Sequence, residues 1–218
     1  MMSFGKSSLW RRFAVFSFMV GMGATLQGQA LLTRQVVPDD ELIANSILAV
    51  VGSKTWPEGW KQRGNREHSK LVPRVPGTDL SQGRVFEFSA KNAGAQQVVL
   101  LGRDWATLEV RYFMKTEDVV RGSASWQDAR VALRYIDSQW NTVTPWPKVK
   151  GASGTSDWRE YVLELPISEG ADALVVEPAM FGESGTAWFA DISVRVVAFK
   201  SDGSARKTEK GAKSGSAR

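Results

Sequence analysis

The amino-acid sequence predicts an all-β protein, an antiparallel β-sandwich of the jelly-roll kind, from three observations. Seven or eight segments alternate apolar and polar residues with a period of two, the pattern of half-buried strands. Clusters of Gly, Pro, Asn, Asp and Ser separate these segments. No helical segments alternate with the strands, as they do in a parallel α/β sheet.

The first element, residues 38–51, fits a short N-terminal helix because acidic residues stand in its first turn and Gly52 follows as a stop signal. It is equally compatible with an N-terminal strand. The clearest strand is 105–115, in which Leu108, Val110, Tyr112 and Met114 share one face. The other predicted strands are 84–89, 96–101, 129–137, 158–166, 173–177 and 186–199.

Residues 1–30 have the pattern of a signal peptide. Lys6, Arg11 and Arg12 precede an apolar stretch at 13–26, and the small residues Gly28 and Ala30 predict cleavage after Ala30. An uncleaved anchor is the alternative, but the apolar stretch is interrupted by polar and glycine residues and is shorter than the ~20 residues that span a bilayer. The expected location is therefore secreted or periplasmic, without a membrane span.

Charge is distributed unevenly along the chain. Of 28 basic and 23 acidic residues, three basic ones lie in 1–30, and six basic and two acidic ones lie in 200–218. The remaining 19 basic and 21 acidic residues make the body, 31–199, nearly neutral. A near-neutral body argues against nucleic acid as a partner. The body has the size of one domain and is expected to be monomeric, and 200–218 is expected to be a disordered basic tail.

Four segments in order resemble a known family. They are Trp56-Pro-Glu-Gly-Trp60, Trp126-Gln-Asp-Ala-Arg130, Thr155-Ser-Asp-Trp158 with Leu163-Glu-Leu-Pro166, and the segment 185–194. Together they look like the jelly-roll carbohydrate-binding modules of the galactose-binding-like type that accompany bacterial glycoside hydrolases. The resemblance implies a sandwich fold and a polysaccharide or oligosaccharide as the partner.

Members of that group often hold a structural calcium ion with an acidic residue early in the chain and an Asp-Asp pair in the last strand. Here Ala49 stands where the early acid is expected, and Asp191 is preceded by Ala190. Calcium takes six to eight oxygen ligands, so the loss of two carboxylates weakens the site. We therefore predict no cofactor, and Asp191 is the metal ligand if calcium is bound.

Tryptophans beside polar residues are the candidate binding groups. Sugar rings present apolar C–H faces ringed by hydroxyls, so a receptor needs flat aromatic side chains beside bidentate donors and acceptors. Trp126, Trp140, Trp146 and Arg130 meet this description. Core packing is the alternative for each ring, and it is the favoured one for Trp60, Trp105, Trp158 and Trp188. Arg130, two residues after Asp128, alternatively braces a loop through a buried salt bridge.

A second candidate group consists of polar side chains that face outward on two strands. Glu109 and Arg111 on one strand would lie beside Arg130 and Arg134 if those strands pair. They then form either a polar, sugar-binding face or a solvated sheet face with ion pairs.

Sequence evidence for catalysis is weak. His68 is the only histidine and has no nucleophile motif around it, and the usual zinc sites are excluded by the count of His and Cys. Glycoside hydrolysis needs only two carboxylates, and no spacing singles out a pair among Asp39, Asp40, Glu41, Glu109 and Glu177. The sequence therefore predicts an exported, non-catalytic carbohydrate-binding module. A cell-envelope structural or interaction protein, or a small jelly-roll hydrolase or lyase, remains the alternative.

Overall fold

A computed structural model describes residues 40–50, 54–73 and 83–201. Within these residues the chain forms ten strands and one short 3-10 helix, Arg66–His68. None of the helices in this part is long and apolar enough to cross a membrane. The strands are β1 (Lys61–Gly64), β2 (Ser69–Pro73), β3 (Arg84–Phe88), β4 (Ala93–Leu100), β5 (Trp105–Val120), β6 (Ala129–Ile136), β7 (Thr142–Val143), β8 (Gly154–Pro166), β9 (Ala173–Met180) and β10 (Ser184–Phe199).

The strands form two five-stranded antiparallel sheets. The front sheet has the order β1-β4-β9-β6-β7, and the back sheet has the order β2-β3-β10-β5-β8. Most strand pairings join strands that are not consecutive in the chain. The predicted antiparallel sandwich is confirmed.

The hydrophobic core lies between the two sheets. Leu108, Val110, Tyr112 and Met114 on β5 are buried, as their shared face predicted, and they belong to the same cluster as Leu133 on β6. Each large apolar side chain that is fully buried contributes roughly 1.5–3 kcal/mol relative to an exposed one. Trp60 and Trp105 are buried in this core, whereas Trp188 is half-buried on the outer face of β10, where its N–H donates to Glu87 at 3.0 Å.

Residues 40–50 form a β-bridge and a turn, so the helix alternative for 38–51 is wrong over the described part. Glu41 bridges to Arg195 of β10, and Asn45 and Leu48 have positive φ angles of 58° and 54°, which a right-handed helix does not allow. The Asn45 side chain instead stabilises the turn: its carbonyl accepts from the N–H of Ala49, and its amide donates to the carbonyl of Ala49, both at 2.7 Å.

All described residues belong to one compact unit, Val36–Arg218. The predicted signal peptide, its cleavage point after Ala30 and the tail from residue 202 onward lie outside the described residues. The boundaries of the predicted segments 1–30, 31–199 and 200–218 therefore stay predictions.

Candidate functional site

The outer face of the front sheet carries a groove of about 680 Å³, which we call the front groove. β6 and β9 supply its floor, because their alternate residues point away from the core. The loops that precede β6 and follow β7 and β9 supply its walls. Its lining includes Arg63, Trp126, Arg130, Ala132, Arg134, Trp146, Lys148, Val175, Glu177 and Phe181.

Small residues lie between two of the arginines that line the front groove. In the strand register Arg63 lies opposite Gly94, Gly94 opposite Ala179, and Ala179 opposite Arg130, so one row across four strands has large cationic side chains only at its ends. A Cβ atom at Gly94 would lie 2.8 Å from the Cβ atom of Ala179, so no larger residue fits there without a shift. The row is therefore a trough between two arginines.

Glu177 stands in the middle of the floor, opposite Ala132 in the register. Its carboxylate forms no hydrogen bond and no close ion pair with another described residue. Burial raises the pKa of Glu177 above its ordinary value, and the charges of Arg63 and Arg134 offset part of that rise. The floor thus presents a desolvated carboxylate with open acceptor positions, which suits recognition of hydroxyl or N–H donors.

Two tryptophans form the aromatic part of the front groove. Trp126 is 52% exposed and Trp146 is 55% exposed, although both are large apolar side chains. Trp126 packs edge-on against Phe181, with ring centroids 5.8 Å apart and planes at 75°. Trp146 lies between Pro145 and Pro147, in the loop from β7 to β8. Phe181 restricts the indole of Trp126, and the two prolines restrict that of Trp146. Each indole therefore loses little conformational entropy when a ligand binds to it.

Arg130 is held by a buried ion pair with Asp128. The Nε and Nη2 atoms of Arg130 donate to the two carboxylate oxygens of Asp128 at 2.6 and 2.8 Å, and Nη2 also donates to the carbonyl of Ser125 at 3.0 Å. Only 2% of the Asp128 side chain and 15% of the Arg130 side chain are exposed. The pair therefore joins β6 to the loop that carries Trp126, which is the brace that the alternative reading of Arg130 predicted.

The other predicted binding residues lie elsewhere. Trp140, 68% exposed, occupies the turn between β6 and β7 and is not part of the front groove lining. Glu109 and Arg111 are on β5, which pairs with β8 and β10 in the back sheet, so the idea that β5 pairs with β6 is wrong. Arg111 donates instead to Glu160 at 2.7 Å and to Glu109 at 3.4 Å, the ion pairs of a solvated sheet face.

Asp191, the metal ligand expected if calcium is bound, lies on the last strand of the back sheet. Asp191 lies at a β-bulge of β10 with a φ of 47°. Among the described residues, no group of three or more His, Cys, Asp or Glu is arranged to hold a metal ion. Glu41, whose backbone bridges to the same strand, already accepts hydrogen bonds from the backbone N–H groups of Ile43 and Val194 at 2.9 and 3.0 Å. Its carboxylate acts as a backbone cap.

Sequence reasoning missed Arg63, Lys148 and Phe181 as groove residues. The strand that carries Arg63 reads Lys-Gln-Arg-Gly, which has no apolar alternation and therefore gives no strand signal. Lys148 and Phe181 lie in connections, whose positions depend on the pairing of distant strands. Arg134 was predicted to face outward, and Glu177 was considered as a catalytic carboxylate, but nothing in the sequence indicated that the two lie in one groove.

Comparison with known proteins yields a likeness in fold alone. The sequence matches no family model and no curated protein. The enzymatically active domain of bacteriophage CBA120 tailspike protein 4 is 15% identical with a TM-score of 0.50, and the match covers 69% of this chain and 21% of that chain. Family 16 Carbohydrate Binding Module-2 is 18% identical with a TM-score of 0.49, and the match covers 70% of this chain and 98% of that chain.

The CBM22-1 xylan-binding domain of Paenibacillus barcinonensis Xyn10C is 14% identical, with a TM-score of 0.43, and the match covers 66% of this chain and 88% of that domain. Most of these structural neighbours are carbohydrate-binding modules of glycoside hydrolases. These matches are a likeness in fold, and the sandwich expected from the sequence is the fold that the strands form.

Proposed function

We propose that the front groove binds a polysaccharide or oligosaccharide chain, and that the protein is exported and acts as a non-catalytic carbohydrate-binding module. One observation carries the proposal: Trp126 and Trp146, each about half exposed, line one groove together with Arg130 and a desolvated carboxylate, Glu177. Two half-exposed indoles that share one groove form an apolar surface that a ligand can cover.

The chemistry of the lining matches that of a sugar. The indole faces of Trp126 and Trp146 offer contact to the C–H faces of pyranose rings. Glu177 accepts hydrogen bonds from hydroxyl groups, and the guanidinium of Arg134 donates to hydroxyl or ring oxygens.

Binding is favoured over hydrolysis by the carboxylate content of the site. Glycoside hydrolases of the common type place two carboxyl groups roughly 5–9.5 Å apart across the scissile bond. Among the described residues that line the front groove, Glu177 supplies the only carboxylate. The adjacent carboxylate of Asp128 is buried and is bonded at both oxygens to Arg130, so it is not free to act as acid, base or nucleophile.

Affinity electrophoresis in gels that contain single glycans, with isothermal titration of any positive, tests the proposal. The wild-type protein is expected to be retarded by at least one glycan and to change its tryptophan fluorescence on binding. Trp126→Ala and Trp146→Ala each remove one stacking platform and are expected to weaken binding by more than about tenfold, the scale of a buried aromatic contact.

Trp140→Ala is the matched control, because Trp140 is 68% exposed, more than either groove tryptophan, and lies outside the groove. It is expected to bind as the wild type does. Equal losses from all three substitutions would refute a role for the groove. Release of reducing ends by the purified protein would show that it is a hydrolase or lyase rather than a non-catalytic binding module. Capture of a defined protein partner, with no glycan retarded, would favour the envelope-protein alternative.

A further inference from the structure

The front groove is lined by more cationic side chains than carboxylates. Arg63, Arg134 and Lys148 line it and form no ion pair with another described residue. Arg130 is already paired with Asp128, and Glu177 is the single carboxylate of the lining. The groove therefore has a net positive charge, although the body 31–199 as a whole has slightly more acidic than basic residues.

A second cleft, which we call the edge cleft, adjoins the front groove through Lys148. It has a volume of about 400 Å³ and lies between the loop that follows β7 and the edge strand β8. Lys148, Lys150 and Arg159 line it together with Glu160 and Tyr161. Glu160 accepts a hydrogen bond from Arg111 at 2.7 Å, so part of its charge is already compensated. The three cations have no ion-pair partner among the described residues.

The edge cleft also has a fixed aromatic surface. Tyr161 stacks on Tyr112 of the core with ring centroids 5.0 Å apart and planes at 3°. Because Tyr112 is fully buried, its ring holds Tyr161 in place while Tyr161 stays partly exposed. The front groove and the edge cleft thus repeat one combination, an aromatic platform beside unpaired cations, and Lys148 connects them.

We propose that the front groove and the edge cleft together bind one acidic polysaccharide, whose carboxylate or sulfate groups are contacted by Arg134, Lys148, Lys150 and Arg159. This inference rests on the proposed function and adds the substrate class. The two sites together contain five cations without an ion-pair partner among the described residues, and two carboxylates, Glu177 and Glu160. The five cations are Arg63, Arg134, Lys148, Lys150 and Arg159. Clefts lined by one sign of charge concentrate ligands of the opposite sign. Nucleic acid is disfavoured because the rest of the body lacks the excess of basic residues that a nucleic-acid surface needs.

The test compares two glycans that differ only in charge. Polygalacturonate and its methyl ester share one backbone, and esterification removes the carboxylate charge. We expect the wild-type protein to bind polygalacturonate at least about tenfold more tightly at low salt. Raising the ionic strength from about 0.01 to 1 M shortens the screening length from about 30 to 3 Å, so this preference is expected to disappear. Dextran sulfate beside uncharged dextran distinguishes sulfate from carboxylate recognition.

Lys150→Gln and Arg159→Gln remove edge-cleft cations without touching the front groove, and each is expected to weaken binding of the acidic glycan by about three- to tenfold. Arg103→Gln is the matched control, since it removes an exposed cation at the turn before β5, outside both sites. Loss of the acidic preference in the two variants, with binding of a neutral glycan unchanged, supports the inference.

Three outcomes would overturn it. Equal affinity for the charged and esterified glycans would refute the preference for acidic glycans. If Trp126→Ala still weakens binding of both glycans, the proposed function is unaffected. Binding to single-stranded DNA as tight as to the acidic glycans, and insensitive to Trp126→Ala, removes both conclusions. Failure to bind any charged or neutral glycan likewise removes both.

Discussion

The ion pair between Asp128 and Arg130 permits a quantitative prediction about stability. In Arg130→Gln the carboxylate of Asp128 stays buried, with 2% of its side chain exposed, and loses both charge-assisted hydrogen bonds. Leaving one charge of a buried pair unmatched costs about 3–5 kcal/mol. Arg121 lies 3.6 Å from the same carboxylate but is 52% exposed and compensates only weakly. We therefore expect a loss of about 3 kcal/mol, near the lower end of that range.

Urea denaturation followed by tryptophan fluorescence measures this loss. With a slope of about 2 kcal/mol per molar urea, the midpoint is expected to fall by about 1.5 M. Arg111→Gln is the control: Arg111 pairs with Glu160 at 2.7 Å but is 45% exposed, so its loss is expected to leave the midpoint nearly unchanged. The double variant Asp128→Leu with Arg130→Met removes both charges and is expected to recover most of the stability.

The same substitution links stability to binding. Arg130 also donates to the carbonyl of Ser125, in the loop that carries Trp126. Arg130→Gln is therefore expected to weaken glycan binding even where the protein remains folded. A cost no larger than that of Arg111→Gln would show that the pair does not support the loop, and the reasoning about the groove wall would then be wrong.

Three further predictions concern the groove and its support. Glu177→Gln removes a buried charge whose pKa is raised by burial. The folded state binds that proton more tightly than the unfolded chain does, so the stability of the wild type falls as pH rises through the raised pKa. Thermal melts at several pH values are expected to show the stability of the variant, relative to the wild type, rising toward neutral pH, and a difference that stays constant with pH would contradict this. Gly151→Ala places a Cβ atom on the Asp128 carboxylate and is expected to cost about 1–3 kcal/mol in urea denaturation; an unchanged midpoint would refute the contact. Ala132→Tyr fills the groove floor, so titration should show binding lost while circular dichroism stays unchanged; retained binding would place the ligand elsewhere.

Strand identity and strand facing could be predicted from the sequence because they depend on local alternation. The buried face of β5, from Leu108 to Met114, and the outward positions of Arg130 and Arg134 follow from a period of two, whatever the partner strand is. The helix alternative for 38–51 was wrong because the acidic residues at its start are also typical of a helix N-terminus. Asn45 and Leu48 adopt left-handed conformations, which the contacts of the folded chain select and the local sequence does not.

The candidate site depended on pairings between distant parts of the chain. Trp126, Arg130 and Trp146 could be singled out as residue types, but β6 pairs with β9 rather than β5, and this pairing placed Glu177 beside them and left Glu109 and Arg111 on the opposite sheet. Arg63 enters the groove only because β1 joins the edge of β4.

The sequence by itself determined an antiparallel sandwich with outward-facing charges and an excess of polar-flanked tryptophans, because alternation and turn composition act over a few residues. Only the tertiary structure decided which of those residues share a groove. Register and sheet order are set by the packing of the whole core, and the energy of that packing is not encoded in any single segment.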